Sequence, residues 1–237
     1  MTIRSIVRKF ENHSVAVFGA KGTGKDVLFG NVIRRRNLPY VSNTDYGGQY
    51  LPYDTSKIDC GKNTFKEFVE GSTKPYRFPY DDFTDLYLAD IGVYFPSQYC
   101  NELNRDYKYL PVFEALSRHL GKSKLHYNTQ ALTRAWDKIR EQCEIYIKCL
   151  SCRVLFGKIV IQRIRVYDKY NSAVEGALPW NIKLPFLASK EMKLNMKLAK
   201  QKYENQYGKI REGYLIYWNK STHDTRSFKA MLEGVTE

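Results

Sequence analysis

A glycine-rich stretch near the N-terminus has the spacing of a phosphate-binding loop. Residues 19–25 read Gly-Ala-Lys-Gly-Thr-Gly-Lys, the pattern Gly-x4-Gly-Lys. In such loops backbone N–H groups surround a polyphosphate while the lysine reaches its terminal phosphates. The stretch predicts an ATP site, and the residues predicted to line it are Gly19, Ala20, Lys21, Gly22, Thr23, Gly24, Lys25, Asp26 and Val27.

The position after the lysine departs from the usual pattern. A serine or threonine normally stands there, and its hydroxyl holds Mg²⁺; this chain has Asp26. A carboxylate can also hold Mg²⁺, directly or through water, because that ion accepts hard oxygen ligands. We therefore predict that Asp26 is a metal ligand and that nucleotide binding depends on Mg²⁺ more strongly than in conventional loops.

A second acidic site is predicted at residues 85–90, which read Asp-Leu-Tyr-Leu-Ala-Asp. Leu86 to Ala89 are expected to form a buried strand whose carboxyl end carries Asp90 toward the phosphates, as a Walker B acid and second Mg²⁺ ligand. Most ATP hydrolases follow this acid with a glutamate that activates water, but Ile91 stands here. No general base is identified, since neither Asp85 nor Glu102 has the expected position.

Residues 115–147 contain a further series of motifs in a fixed order. The series is Arg118-His119-Leu120-Gly121, Thr129-Gln130, Ile139-Arg140 and Glu144-Ile145-Tyr146-Ile147. This order resembles the FtsK–HerA superfamily of DNA-pumping ATPases, and most closely its zonula occludens toxin-like branch, which includes assembly ATPases of filamentous phages. The resemblance covers roughly residues 12–150.

The resemblance implies roles for two more residues and a set of partners. Gln130 would sense the γ-phosphate, and Arg118 would reach the nucleotide of a neighbouring subunit, alongside Lys25 and Asp90 as catalytic residues. The partners implied are further copies in a ring, DNA, and phage coat or membrane-embedded assembly proteins. Filamentous-phage relatives usually carry a membrane span after the ATPase domain; no apolar run here approaches the ~20 residues that a span needs.

The elements around these motifs predict an α/β fold. Short strands at 14–18, 38–43, 85–90, 124–130 and 144–150 alternate with helices at 24–36, 64–70, 111–121 and 131–143. Such alternation is typical of a mainly parallel sheet flanked by helices, here a RecA-like P-loop NTPase. Residues 153–170 read as a β-hairpin. We expect a P-loop ATPase domain over 1–170, and a connector with a basic helical extension over 171–237.

The predicted C-terminal helix, starting near residue 189, has two interpretations. Lysines form one stripe and apolar residues another: Lys190, Lys193, Lys197, Lys200, and Met192, Met196, Ala199, Tyr203. In the first interpretation the apolar stripe docks on the ATPase core. In the second the helix contacts DNA phosphates or an anionic membrane.

Composition narrows the functional class without deciding it. The net charge of +13 favours an acidic partner, either nucleic acid or a membrane surface. The first residues lack a signal-peptide core, so we expect a cytoplasmic protein, or one peripheral at the inner face of the host membrane.

The preferred hypothesis is an ATP-driven motor for phage or plasmid DNA in filamentous-phage assembly. The alternatives are a viral genome-packaging ATPase, a nucleotide or small-metabolite kinase with a Gly-Lys-Asp loop, and a nucleotide-binding protein without hydrolysis.

Overall fold

The computed structural model describes residues 1–52, 85–94, 96–99 and 124–220. The predicted helices at 64–70 and 111–121, and with them Arg118, lie outside these residues. The strands are β1 (Val15–Phe18), β2 (Tyr40–Ser42), β3 (Tyr50–Pro52), β4 (Asp85–Leu88), β5 (Leu125–Thr129), β6 (Ile145–Leu155), β7 (Ile159–Tyr167) and β8 (Arg211–Trp218). The α-helices are α1 (Ile3–Asn12), α2 (Lys25–Arg36), α3 (Ile91–Tyr94), α4 (Asp137–Arg140), α5 (Tyr170–Glu175) and α6 (Lys190–Tyr207).

The eight strands form one mixed sheet in the order β3-β2-β4-β5-β1-β6-β7-β8. The six strands from β3 to β6 are parallel, whereas β7 and β8 are antiparallel to their neighbours. The carboxyl ends of β1, β4 and β5 therefore meet at one edge of the sheet, where ligands bind in open α/β folds. This architecture confirms the predicted fold class, including the mainly parallel sheet and the hairpin of β6 and β7.

Two buried apolar clusters cover the two faces of the sheet. Along β1, Val15 and Val17 face the cluster that also contains α1 and α2 residues, while Ala16 and Phe18 face the other. Successive side chains of a strand point to opposite faces, so a strand covered on both sides is apolar throughout. This double coverage explains why residues 15–18 read as a continuous apolar run, and it places the end of β1 and the glycine loop on a rigid base.

The segment 131–143 differs from the single helix that was predicted. It contains a 3₁₀ turn, Leu132–Arg134, and the one-turn helix α4. Between them Ala135 and Trp136 have extended backbone, with ψ of 149° and 132°. Both of these side chains are buried in the same apolar cluster as Leu132. The backbone bends so that all three side chains can be buried. The free energy gained by this burial outweighs the local preference for a regular helix.

Helix α6 does not dock on the core as the first interpretation required. None of its residues is buried, and Met192, Leu194 and Leu198 are 46%, 57% and 55% exposed. At 3.6 residues per turn the predicted apolar stripe does lie on one side of the helix, but none of its residues is buried against the described part of the core. The C-terminal end of the helix contacts the rest of the chain, where the Tyr203 ring packs 5.4 Å from that of Trp180.

Residues 171–220 also contain elements that the sequence pattern did not indicate. Helix α5 ends at Glu175, and β8 pairs with β7 over eight residues as the edge strand of the same sheet. The proposed division at residue 170 therefore separates the P-loop from a strand of its own sheet.

A buried ion cluster lies at the amino end of β4, away from the glycine loop. Asp85 pairs with Arg36, and its Oδ2 is 3.3 Å from Nε2 of His126. Nδ1 of His126 accepts a hydrogen bond of 3.3 Å from the N–H of Val15, so the ring is neutral with its proton on Nε2. These contacts give Asp85 a structural role and explain why it is not a general base.

We predict that Asp85→Asn lowers the free energy of unfolding at neutral pH by about 3–5 kcal/mol, because it leaves Arg36, whose side chain is only 10% exposed, without its counter-charge. Burial alone would raise the pKa of Asp85, but His126 and Arg36 lower it to about 2. Since this pKa is below the ordinary 3.8, the wild type should lose stability as the pH falls from about 4 through about 2. Denaturant titrations from pH 2 to 7 measure both effects.

The control for this prediction is Glu204→Gln, which removes an exposed partner of Lys200. Surface ion pairs contribute about 0–1 kcal/mol, so this change should be small. Equal effects of the two substitutions, or an unchanged acid transition in Asp85→Asn, would contradict the assignment.

Candidate nucleotide-binding site

The glycine loop joins β1 to α2 in the geometry of a phosphate-binding loop. Gly22 and Gly24 have φ of 81° and 83°, values that favour glycine over other residues. The carbonyl of Ala20 accepts hydrogen bonds from the N–H and the hydroxyl of Thr23, at 3.3 and 2.7 Å. The loop therefore closes on itself and leads directly into the N-terminus of α2, where backbone N–H groups favour anions.

Strands β6 and β7 support this loop from behind. A Cβ added to Gly24 would lie 2.5 Å from the Cβ of Cys152, so only glycine allows this approach. Nε2 of the buried Gln162 donates to the carbonyls of Thr23 and Gly24, at 3.2 and 2.9 Å. Oε1 of Gln162 accepts from the hydroxyl of Tyr217 on β8 at 3.0 Å. The antiparallel part of the sheet thus holds the loop backbone in place.

Lys25 and Asp26 begin α2 and present opposite charges at the loop. Lys25 is buried, and its Nζ donates to the carbonyl of Ala20 at 3.3 Å, which places the ammonium across the loop. Asp26 is half-buried in the first turn of the helix. Because Lys25 and Asp26 are adjacent at a helix N-terminus, one site offers a cation for phosphate and a carboxylate for a metal ion.

Asp90 lies two residues after Leu88, the last residue of β4. The strand predicted over residues 86–89 would have placed Asp90 directly after the strand end. Its φ is 46°, a left-handed conformation that aspartate tolerates better than most residues. The side chain is exposed toward the crevice, yet partial desolvation, followed by the charge of Asp26, raises the pKa of Asp90, while Lys25 opposes this shift. Asp26 and Asp90 also lie close together in the fold, because the side chain of Asn128 bonds to the N–H of Asp90 and to Oδ1 of Asp26.

Two asparagines organise this edge, and the sequence patterns did not single out either of them. Asn128, buried on β5, accepts a hydrogen bond from the N–H of Asp90 at 2.8 Å and donates to Oδ1 of Asp26 at 2.9 Å. Asn43, which follows β2, forms two hydrogen bonds with the backbone of Ala89, at 2.8 and 2.9 Å. An amide supplies both a donor and an acceptor. Asn43 therefore joins the ends of β2 and β4, and Asn128 joins the segment after β4 to the first turn of α2.

The predicted sensor Gln130 lies just past the end of β5. It is exposed, and its Oε1 accepts a hydrogen bond of 3.5 Å from Arg134. Asn128, rather than Gln130, makes the contacts with Asp26 and Asp90. A γ-phosphate-sensing role for Gln130, and the role of Arg118 toward a neighbouring subunit, both stay predictions.

The chemistry of the site fits a complex of Mg²⁺ with a nucleoside triphosphate. Asp26 and Asp90 supply hard oxygen ligands, and Lys25 with the loop N–H groups supplies phosphate donors. Within the described residues no group of three or more histidine, cysteine, aspartate or glutamate side chains could hold a metal ion by itself.

No family model and no curated protein matches this sequence. Among solved structures, the chain is similar to the genome-packaging NTPase B204 of Sulfolobus turreted icosahedral virus 2 in complex with ATP-gammaS, with 15% identity over 68% of this chain and 94% of that one and a TM-score of 0.40. It is also similar to the N-terminal domain of zonular occludens toxin from Neisseria meningitidis, with 12% identity, 73% and 94% coverage and a TM-score of 0.42.

A third similar structure is EssC (ATPases 2 and 3) from Geobacillus thermodenitrificans, with 11% identity and a TM-score of 0.39, over 82% of this chain and 44% of that one.

Proposed function

We propose that this chain binds ATP with Mg²⁺ and hydrolyses it as one subunit of a motor that moves DNA. The observation that supports the proposal is the convergence of Lys25, Asp26 and Asp90 beside a closed glycine loop: Lys25 bonds across the loop, and Asn128 joins Asp26 to Asp90. Each of these residues comes from an element that the sheet holds rigidly. The order of later motifs, from Arg118 to Ile147, supports a DNA motor over other P-loop enzymes.

In this proposal each residue has a distinct task. Lys25 and the loop N–H groups bind the terminal phosphates, and Asp26 and Asp90 hold Mg²⁺, which neutralises charge on the phosphate oxygens when bound. The orientation of Asp90 depends on Asn128, which bonds to its backbone. Gln130 and the Arg118 of a neighbouring subunit would complete the site around the γ-phosphate.

Helix α6 supports DNA as the substrate. Its lysines recur over about 15 Å, at 1.5 Å per residue from Lys190 to Lys200, on a helix with no buried residue. Such a row can neutralise several phosphates of a nucleic-acid backbone. We propose filamentous-phage assembly as the setting, with coat or membrane-embedded proteins as further partners; genome packaging would use the same chemistry. Among the described residues no helix is both long and apolar enough to cross a membrane.

The test is ATP hydrolysis measured with and without DNA, together with the salt dependence of DNA binding. We expect hydrolysis that requires Mg²⁺ and increases when DNA is added. The double variant Lys193→Ala/Lys197→Ala should lose two phosphate contacts. Each contact contributes about 0.9 to the slope of log affinity against log salt concentration, so the slope should become shallower by about 2.

The matched control is Lys138→Ala/Lys158→Ala, which also removes two exposed positive charges but lies outside α6. This variant should keep the wild-type slope. If DNA does not change the rate of ATP hydrolysis and both double variants have the same salt slope, the DNA-motor proposal and the role of α6 are wrong.

A further inference from the structure

The carboxylate of Asp26 is held by two neutral donors from distant parts of the chain. Nδ2 of Asn128 donates to Oδ1 of Asp26 at 2.9 Å, and the hydroxyl of Tyr46 donates to the same oxygen at 3.2 Å. Both hydrogen bonds that the described residues give this carboxylate end on Oδ1. The carboxylate plane is therefore constrained from one side, which makes Oδ2 the oxygen available to a cation.

The environment of Asn128 determines which way its amide points. Its Oδ1 accepts the N–H of Asp90 at 2.8 Å, and a backbone N–H can only donate. The NH₂ group must therefore face Asp26, and it requires an acceptor there. Asn128 is fully buried, so rotation of the amide would leave two polar groups without partners at a cost in free energy. The amide N–H is thus directed at Oδ1 of Asp26.

Tyr46 reaches the same carboxylate from the loop between β2 and β3. It is fully buried, and its N–H donates to the hydroxyl of Tyr40 at 2.8 Å, which fixes the backbone of this loop. The hydroxyl of Tyr46 lies 3.2 Å from Oδ1 of Asp26 and donates to it, since an ionised carboxylate oxygen only accepts hydrogen bonds.

We infer that Tyr46 and Asn128 are positioning residues that hold Asp26 as a metal ligand in place of the hydroxyl of a conventional phosphate-binding loop. This inference rests on the proposed nucleotide function. Both donors are uncharged, so they orient the carboxylate without cancelling the negative charge that attracts a divalent cation. A lysine or arginine at either position would neutralise that charge.

The arrangement makes nucleotide affinity depend on the metal ion. Without a divalent cation, Asp26 and Asp90 would repel the triphosphate; with it, the oriented carboxylate adds a ligand. Removal of one positioning bond should therefore weaken the metal-dependent part of nucleotide binding only. A loss of general structural integrity would weaken nucleotide binding with and without metal alike, so the two causes give different results.

The experiment titrates Mg²⁺ against a fluorescent, non-hydrolysable ATP analogue, and repeats the binding measurement in EDTA. For Tyr46→Phe we expect the Mg²⁺ concentration at half-maximal binding to rise roughly tenfold, the effect of losing a hydrogen bond to a charged group. The weak affinity in EDTA should stay unchanged. In an Asp26→Thr background, where the carboxylate is absent and the Mg²⁺ requirement is relaxed, Tyr46→Phe should add nothing. Asn128→Ala should shift the wild-type midpoint in the same direction as Tyr46→Phe.

The matched control is Tyr146→Phe, which removes a phenolic hydrogen bond of 2.9 Å to the carbonyl of Arg140, a bond that does not involve Asp26. It should keep the wild-type Mg²⁺ midpoint. An unchanged midpoint in Tyr46→Phe, or an equal shift with and without the Asp26 carboxylate, would overturn the positioning role while nucleotide binding by the wild type still stood. A wild type that binds no analogue at any Mg²⁺ concentration would overturn the proposed function and the inference together.

Discussion

Replacing Lys25 with alanine should lower the affinity for ATP about a hundredfold, and hydrolysis should fall with it. The ammonium of Lys25 is buried and lies across the glycine loop, where a terminal phosphate would replace the carbonyl of Ala20 as its partner. Hydrogen bonds between charged groups contribute about 1.5–3 kcal/mol, and the upper value corresponds to roughly a hundredfold in affinity. Equilibrium binding of ATP in the presence of Mg²⁺ measures the loss.

Lys21 provides a control within the same loop. It is exposed, so Lys21→Ala removes an equal charge four residues away without removing the buried contact. We expect its ATP affinity to change by less than about tenfold, because charges exposed to water interact weakly. Equal losses in both variants would indicate a general electrostatic effect, and full ATP affinity and turnover in Lys25→Ala would remove the basis for the nucleotide site.

The second large effect is expected from Arg118→Ala, which should leave ATP binding nearly intact and lower turnover by about 10³. The resemblance to ring-forming motors implies that this arginine stabilises charge on the γ-phosphoryl group in the next subunit. Hydrolysis per subunit should then rise with protein concentration, because an isolated subunit lacks the arginine. Turnover measured over a concentration series, with and without DNA, tests both statements.

Mixing variants separates a motor from a kinase. Lys25→Ala subunits still carry Arg118, so adding them to Arg118→Ala subunits should restore part of the turnover. DNA should strengthen the effect by bringing subunits together. A small-molecule kinase works without a neighbour's arginine. Activity that is independent of concentration, of DNA and of Arg118 would therefore favour the kinase and contradict the ring.

The sequence was sufficient to locate the glycine loop and the acid after β4. Each of these motifs is a short segment of sequence. It consists of an apolar run, which predicts a buried strand, followed by residues that are typical of a tight turn or of a strand end. The positive φ of Gly22 and Gly24 and the adjacent placement of Lys25 and Asp26 follow from that local pattern. The alternation of strands and helices likewise predicted the parallel part of the sheet, since parallel neighbours need helical crossovers.

Other features depended on burial that local patterns do not encode. Residues 131–143 have the composition of a helix, yet packing of Trp136 on the sheet bends the chain there. The lysine row of α6 was visible in the sequence, but the absence of a buried face depends on how the helix leaves the core. Strand β8 was missed because its partner β7 supplies the hydrogen bonds that make it a strand.

The residues around the crevice show which features of the site could be predicted from the sequence and which depend on the tertiary structure. The sequence by itself was enough to predict a lysine and two carboxylates for a nucleotide site, because each lies in a recognisable local pattern. Only the tertiary structure decided that Asn128 and Tyr46, which are 102 and 20 residues from Asp26, share its Oδ1. The physical reason is that these contacts follow from strand order and from the pairing of Leu88 with Tyr127, which brings the end of β5 beside Asp90. Residues two apart share a face of a strand, so alternation alone would treat Asn128 and Gln130 alike. Strand β5 ends at Thr129, however, so Asn128 is buried within the sheet beside Asp90 whereas Gln130 lies past the strand end and is exposed.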